Sequence, residues 1–252
     1  MCSSDLVDEF YQPAVEITGD IRETLRRLTD RAQEVHETKA SAILRGKILE
    51  AFQSGIQDSR FPMNPDRVIH ELRESMNPED ILVSDVGIHK LLIARYFRAY
   101  LPNTVVISNG FAAMGIALPG AIAAKLVYPD RQVVSVSGDG GFLMNVQEME
   151  TMVRLKLQVV NLVFRDNGFG LIQFKQEKGF NRAYGVSIGN PDFVRLGESF
   201  GIKSFRVESA KGLKPALKAA MNHNGPTVID IPVDYRGTFQ QLIEMGNLIC
   251  PM

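Results

Sequence analysis

The chain has no tryptophan and two cysteines, Cys2 and Cys250, near opposite ends of 252 residues. So distant a pair offers neither the ligand spacing of a zinc site nor the dense framework of a disulfide-stapled domain, and a reducing, cytoplasmic setting is the expectation. Charge of one sign is also missing. With 28 basic against 29 acidic residues the formal net charge is −1, so neither nucleic acid nor an anionic membrane surface has electrostatic support as a partner. No apolar run approaches the roughly 20 residues of a membrane-spanning helix, and the first residues lack the charged-then-apolar layout of a signal peptide. Internal repeats and low-complexity tracts are absent. So are a G-x-G-x-x-G after the first clear strand and a Walker-type Gly-Lys-Ser/Thr, which argues against a simple mononucleotide-binding domain. The remaining composition, 45% hydrophobic and 23% charged, fits one large domain, or one domain plus a remnant of another.

Val15-Glu16-Ile17 reads as a short strand, and Gly19-Asp20 turns into a helix over 21–28 with Ile21, Leu25 and Leu28 on one face. One strand and one helix cannot close a core. Residues 1–40 are therefore expected to be the severed end of a preceding domain plus a polar linker or exposed helix over 29–41. Asn64-Pro65 then gives an N-cap and a first-turn proline, ahead of Val68, Ile69 and Leu72 on one stripe. Beyond it, short β-branched runs alternate with helical stretches. Strands are expected at 81–83, 105–107, 133–136, 159–164 and 227–231. Helices are expected near 90–100, 112–127, 145–155, 171–178 and 211–221. Strands apolar on consecutive residues are covered on both faces, the mark of a parallel sheet. The reading is α/β, a doubly wound and mostly parallel sheet over 41–235, with a tail over 236–252. Ligands in such sheets bind beyond the carboxyl ends of the strands.

Two of those ends carry a carboxylate. Val133-Val134-Ser135-Val136-Ser137 runs into Gly138-Asp139-Gly140-Gly141, and the strand over 159–164 runs into Arg165-Asp166-Asn167-Gly168. Glycines beside Asp139 let backbone N–H groups approach a ligand, and a helix starting near Asn145 would add unpaired N–H groups for phosphate oxygens. Alone, the glycine run also reads as a plain strand-to-helix turn. The second acid, 27 residues later, decides the weighing, because one strand–helix–strand unit has about that length and would hold the acids side by side. Two carboxylates facing a diphosphate repel it unless a divalent cation lies between. Mg²⁺ takes about six oxygens, commonly one or two carboxylates plus phosphates. The metal ligands expected on this reasoning are the side chains of Asp139 and Asp166, a nearby carbonyl and diphosphate oxygens.

The stretch GDGGFLMNVQEMETMVRLKLQVVNLVFRDNG resembles the signature of the thiamine-diphosphate-dependent enzymes. The resemblance implies Asp139 and Asp166 as Mg²⁺ ligands through their side chains and Gly168 through its carbonyl. Gly138, Gly140 and Gly141 are implied against the diphosphate, and Phe169 and Leu171 beside the cofactor. Arg165 and Asp166 stand where many members have Asn-Asn. A second segment, Ile107-Ser108-Asn109-Gly110-Phe111-Ala112-Ala113-Met114-Gly115, is similar to the family stretch whose bulky apolar side chain wedges between the two cofactor rings. Met114 is the matching position, and the Ala112 carbonyl is implied to accept from the aminopyrimidine amine. For Met114 the competing reading is ordinary helix core. In a third segment, Ser84-Asp85-Val86-Gly87-Ile88-His89, Gly87 and His89 are implied at the diphosphate, with a plain core or surface role as the alternative for His89. His36, His70 and His223 carry no such resemblance.

Within this family the chain is most similar to the acetolactate synthases, over roughly 10–240, and its ending Ile231-Pro232-Val233-Asp234-Tyr235 resembles the catabolic branch. Biosynthetic members carry a tryptophan just beyond Leu171-Ile172, where this chain has Lys175. The resemblance thus implies decarboxylation of pyruvate and carboligation to a second pyruvate, giving 2-acetolactate and CO₂. Phe111-Ala112, where catabolic relatives show Gln-Gln, leaves room for another acceptor. A different thiamine-diphosphate-dependent 2-oxo acid decarboxylase or carboligase, and a non-catalytic binding module, remain the alternatives. FAD, bound by some relatives through the central domain, stays open. The family's activating glutamate lies in an N-terminal domain that nothing in the first 58 residues matches. A fragment of a chain about twice as long, inactive alone and acting as a homodimer or tetramer, is the expectation.

Overall fold

A computed structural model describes residues 14–32, 38–53 and 55–239. Cys2, Cys250, His36 and all but the first four residues of the expected tail lie outside them. The chain divides into two units, Met1–Lys47 and Ile48–Met252. In the first, α1 (Ile21–Arg31) is capped by Asp20, whose side chain accepts the Glu23 N–H at 2.9 Å. Ile21, Leu25 and Leu28 share its exposed face. The expected strand at Val15-Glu16-Ile17 does not form; the segment is irregular and every residue in it is exposed, and among the described residues no strand pairs with it. Helix α2 spans Lys39–Ala51.

In the second unit every strand is parallel. β1 (Ile81–Ser84), β2 (Val105–Ile107), β3 (Val133–Gly138), β4 (Val159–Arg165), β5 (Lys203–Arg206) and β6 (Thr227–Pro232) pair in the order β2-β1-β3-β4-β6-β5. The four inner strands are the apolar ones, buried almost throughout. The edges are a three-residue β2 and a charged β5, reading Lys-Ser-Phe-Arg, whose composition discourages pairing with another sheet. Two cores form, one on each face. α3 (Pro65–Ser75), α4 (Ile88–Tyr96) and α10 (Leu213–Met221) pack on one, around Leu72, Leu82, Phe164 and Leu217. α5 (Ala117–Val127), α7 (Glu148–Arg154) and α9 (Phe193–Ser199) cover the other, around Phe142, Met149 and Phe193. Asn64 caps α3 through the Asp66 N–H at 3.0 Å.

Several helix boundaries differ from the expectation; the helix expected over 90–100 is α4, which starts at Ile88 and ends at Tyr96, and the one expected over 211–221 is α10, which starts at Leu213. The helix expected over 112–127 is α5, which starts at Ala117. Ala112 and Gly115 have φ of +51° and +90°, values an α-helix cannot contain. The helix expected over 145–155 is two helices: α6 (Asp139–Met144) begins directly at the end of β3, and α7 follows after a break at Asn145. Gly140 and Gly141 are weak helix formers and hid that start. α8 (Gly170–Phe180) starts one residue before the expected position.

The order in which strands are added reverses between β1 and β3, since β2 lies on one side of β1 and the rest of the sheet on the other. The crevice at the carboxyl ends of β1 and β3 is the topological switch point where such sheets bind ligands.

Candidate active site at the carboxyl ends of the strands

A cleft of about 530 Å³, partly open to solvent, opens at that crevice. It is lined by Gly87 and His89 after β1, Gly138, Asp139, Gly140 and Gly141 after β3, and Asp166, Gly168, Phe169 and Leu171 after β4, with Met114 reaching in from the loop before α5. Eleven of the twelve cofactor positions expected from the sequence thus line one cavity. Ala112 does not. Met114 lies in an irregular loop and is only half-buried, so it is not helix core.

Asp139 is almost wholly buried. Its Oδ1 accepts the Gly140 N–H at 2.8 Å. Its Oδ2 accepts from the Asn167 N–H at 2.7 Å, the Asp166 N–H at 3.2 Å and the Asn190 side-chain amide at 2.7 Å. Burial still raises its pKa, against those four donors. Asp166 is pushed further, to about 7, first by burial and then by the charge of Asp139 beside it. Glycines lie directly against Asp166 and Asp85: a Cβ added to Gly170 would stand 2.7 Å from Asp166 Oδ2, and one added to Gly141 would stand 2.8 Å from Asp85 Oδ2. Glycine at these two positions leaves the carboxylates room.

His89 is neutral. Burial lowers its pKa to about 4, although its ring donates to the Asp85 backbone carbonyl. Its Nε2 is buried without a partner, and the ring lies 6.0 Å from that of Phe164. A plain core residue would leave no such orphan. Tyr235 also lines the cleft, and burial, with the nearby charges of Asp166 and Asp139, raises its hydroxyl pKa well above the usual value. Neither Lys nor Arg lines this cleft, so its charge is purely negative. Among the described residues no group of three or more His, Cys, Asp or Glu is placed to hold a metal ion. Two adjacent carboxylates, one with its pKa raised by the other, fit a divalent cation whose remaining ligands come from carbonyl, water or phosphate oxygen.

Sequence reasoning missed Tyr235, Ile88, Gly170, Ile172 and Asn190. The first four belong to motifs already identified and follow from their spacing. Asn190 does not: Gly189-Asn190-Pro191-Asp192 reads as a turn leading into a helix, and nothing local ties it to Asp139. Lys175 is exposed on α8 and does not line the cleft.

Comparison with known proteins agrees with the geometry. The family described as thiamine pyrophosphate enzyme, C-terminal TPP binding domain, matches residues 85–231. Over 233 residues the chain is 41% identical to the acetolactate synthase of Bacillus subtilis (strain 168), covering 91% of this chain and 41% of that protein. It is also 41% identical to the catabolic acetolactate synthase of Raoultella terrigena, covering 90% of this chain and 41% of the relative. A pyruvate oxidase of Lactiplantibacillus plantarum is 31% identical over 227 residues, 87% of this chain and 38% of the relative. The chain spans about two fifths of the length of these relatives. Its all-parallel sheet, the carboxylates at its rim and these similarities together place the chain in the thiamine pyrophosphate enzyme family, of which it carries the C-terminal TPP-binding domain.

Proposed function

We propose that this chain forms the diphosphate- and metal-holding part of an acetolactate synthase, which decarboxylates pyruvate and joins the two-carbon remainder to a second pyruvate. The adjacency of Asp139 and Asp166 carries the reading, because an unbalanced pair of acids in a cleft without a basic side chain is stable as a dianion only around a cation. Asp139 and Asp166 would hold Mg²⁺ through their side chains and Gly168 through its carbonyl. The backbone of Gly140 and Gly141 would meet the diphosphate. Met114 would pack against the cofactor rings. Thiamine diphosphate, when bound, supplies the electron sink that the decarboxylation of a 2-oxo acid requires. The chain's own part is orientation, which in favourable systems accounts for about 7–11 kcal/mol of barrier. Neutral His89 and the protonated Tyr235 hydroxyl add no charge of their own to the cleft.

The activating carboxylate and much of the acceptor pocket belong, in this reading, to the remainder of a longer protein working as a homodimer or tetramer. The similarity to a pyruvate oxidase supports pyruvate as the donor and leaves a different second step as the competing outcome. Product analysis with pyruvate on the complete protein separates the two. Acetolactate with CO₂ supports the proposal, and acetyl phosphate, or decarboxylation without carboligation, defeats it. Calorimetric titration of Mg²⁺ with thiamine diphosphate tests binding itself.

A further inference from the structure

Resting on that reading, we propose that Asn190, Asp192, Arg206, Asp230 and Arg165 are positioning residues, forming a closed circuit that fixes Asp139 and Asp166 for the cation. The circuit is continuous in the structure. Asn190 donates its side-chain amide to Asp139 Oδ2 at 2.7 Å and to Asn167 Oδ1 at 3.0 Å. Two residues on, Asp192 caps α9 through the Val194 and Arg195 N–H groups, at 3.0 and 3.2 Å, and accepts from Arg206 at 2.6 Å. Arg206 Nε donates to Asp230 Oδ2 at 3.0 Å, and Arg165 Nε donates to Asp230 Oδ1 at 2.8 Å. Arg165 is the residue before Asp166, whose N–H returns to Asp139 Oδ2 at 3.2 Å.

The hub is Asp230 on β6, between β4 and β5, with its side chain 1% exposed. A carboxylate so buried is tolerated because two guanidinium groups pair with it, and each is thereby held in one orientation. One arm stiffens the tip of β4, where Asp166 leaves the sheet. The other anchors the loop that carries Asn190, which holds no regular structure of its own. Residues that orient metal ligands commonly alter affinity by about 10–100-fold when removed. Arg165 thereby acquires a role that its replacement of the family's asparagine left open.

The test uses Asn190→Ala and Arg206→Ala, singly and together; both positions are partly exposed, and because Arg206→Ala leaves Asp230 a single guanidinium partner, exchange at the inner β4 amides serves as the control for the fold. In the metal-free protein, hydrogen exchange at the Asn167 amide reports the grip on Asp139. In its presence with thiamine diphosphate, Mn²⁺ affinity is read by electron paramagnetic resonance. Each single variant is expected to speed exchange at Asn167 without changing that of inner β4 amides, and to weaken Mn²⁺ by about tenfold or more. The double variant is expected to lose little beyond Asn190→Ala, since both act along one path. Unchanged Asn167 exchange in Arg206→Ala, or losses that multiply, overturns the circuit. A wild-type protein that binds no Mn²⁺, yet loosens at Asn167 in both variants, defeats the proposed function and leaves the circuit standing.

Discussion

Asp85, wholly buried at the end of β1, receives the Gly115 N–H on both carboxylate oxygens, at 2.9 and 3.0 Å, across 30 residues of chain. The other side of Gly115 is held as well, its carbonyl accepting from the Asn145 side chain at 2.8 Å. Met114, the residue that projects into the cleft from this loop, is thus presented by a peptide clamped at both ends. The family motif marks Met114, and the clamp explains how an irregular loop can hold it.

Gly115→Ala should break that presentation. Its φ is +90°, and a Cβ would stand 2.8 Å from Asn145 Nδ2 and 2.9 Å from Met144 Cβ. The expected outcome is a loss of about tenfold or more in thiamine diphosphate affinity, with a stability cost of about 1–3 kcal/mol from the strained backbone. Calorimetric titration and urea denaturation check the two parts separately. Unaltered cofactor affinity would remove Met114 from the site.

Phe142 links the glycine run to the core. It is 1% exposed, and its ring meets that of Phe193 edge-on at 5.8 Å between centroids. Truncation of Phe142 to Ala should cost about 3–5 kcal/mol, seen as a lower denaturant midpoint with unchanged slope. A cost below about 1 kcal/mol would mean that α6 is not anchored through this ring.

The sheet and the three motif loops were legible in the sequence because their signals are local. Inner strands read as apolar runs, and the acids follow those runs directly. What escaped depended on pairs distant in the chain. β5 carries no apolar run and forms because β6 offers it a partner, and α9 has Gly197 among its seven residues. The α5 start was misplaced because Ala112 adopts a positive φ that no propensity scale assigns to alanine. Asn190 was invisible for the same reason, its partner Asp139 lying 51 residues away.

His89 makes stability depend on pH with a definite sign. Its pKa falls from 6.5 in the unfolded chain to about 4 in the fold, so between those values the unfolded chain binds the proton and the folded one refuses it. The His89 contribution to stability is therefore complete above about 6.5 and is lost as pH falls towards 4, with a limiting slope of about 1.4 kcal/mol per pH unit. Relative to His89→Gln, the wild type should lose stability as pH falls through that window, because only the wild type carries the imidazole that refuses the proton when folded. Parallel curves from pH 4 to 7 in denaturant titrations would show that the imidazole is not buried neutral.

Asp166 acts in the opposite sense. Its pKa rises from 3.8 to about 7, so the metal-free fold keeps a proton that the unfolded chain has already released, and this contribution to stability is lost as pH climbs through that interval. A cation needs the carboxylate, so its binding at pH 6 must expel the proton, and Mg²⁺ affinity in the presence of thiamine diphosphate should rise about tenfold per pH unit below 7 and level off above. Titrations at pH 6 in buffers of different ionisation enthalpy should count close to one released proton, falling towards none at pH 8.5. Asp166→Asn keeps an oxygen for the metal and has nothing to titrate, so it should abolish both the proton release and the slope. If the wild type shows the same affinity at pH 6 and pH 8, Asp166 does not ligate the cation, because burial and the Asp139 charge would otherwise leave a proton to be expelled at the lower pH.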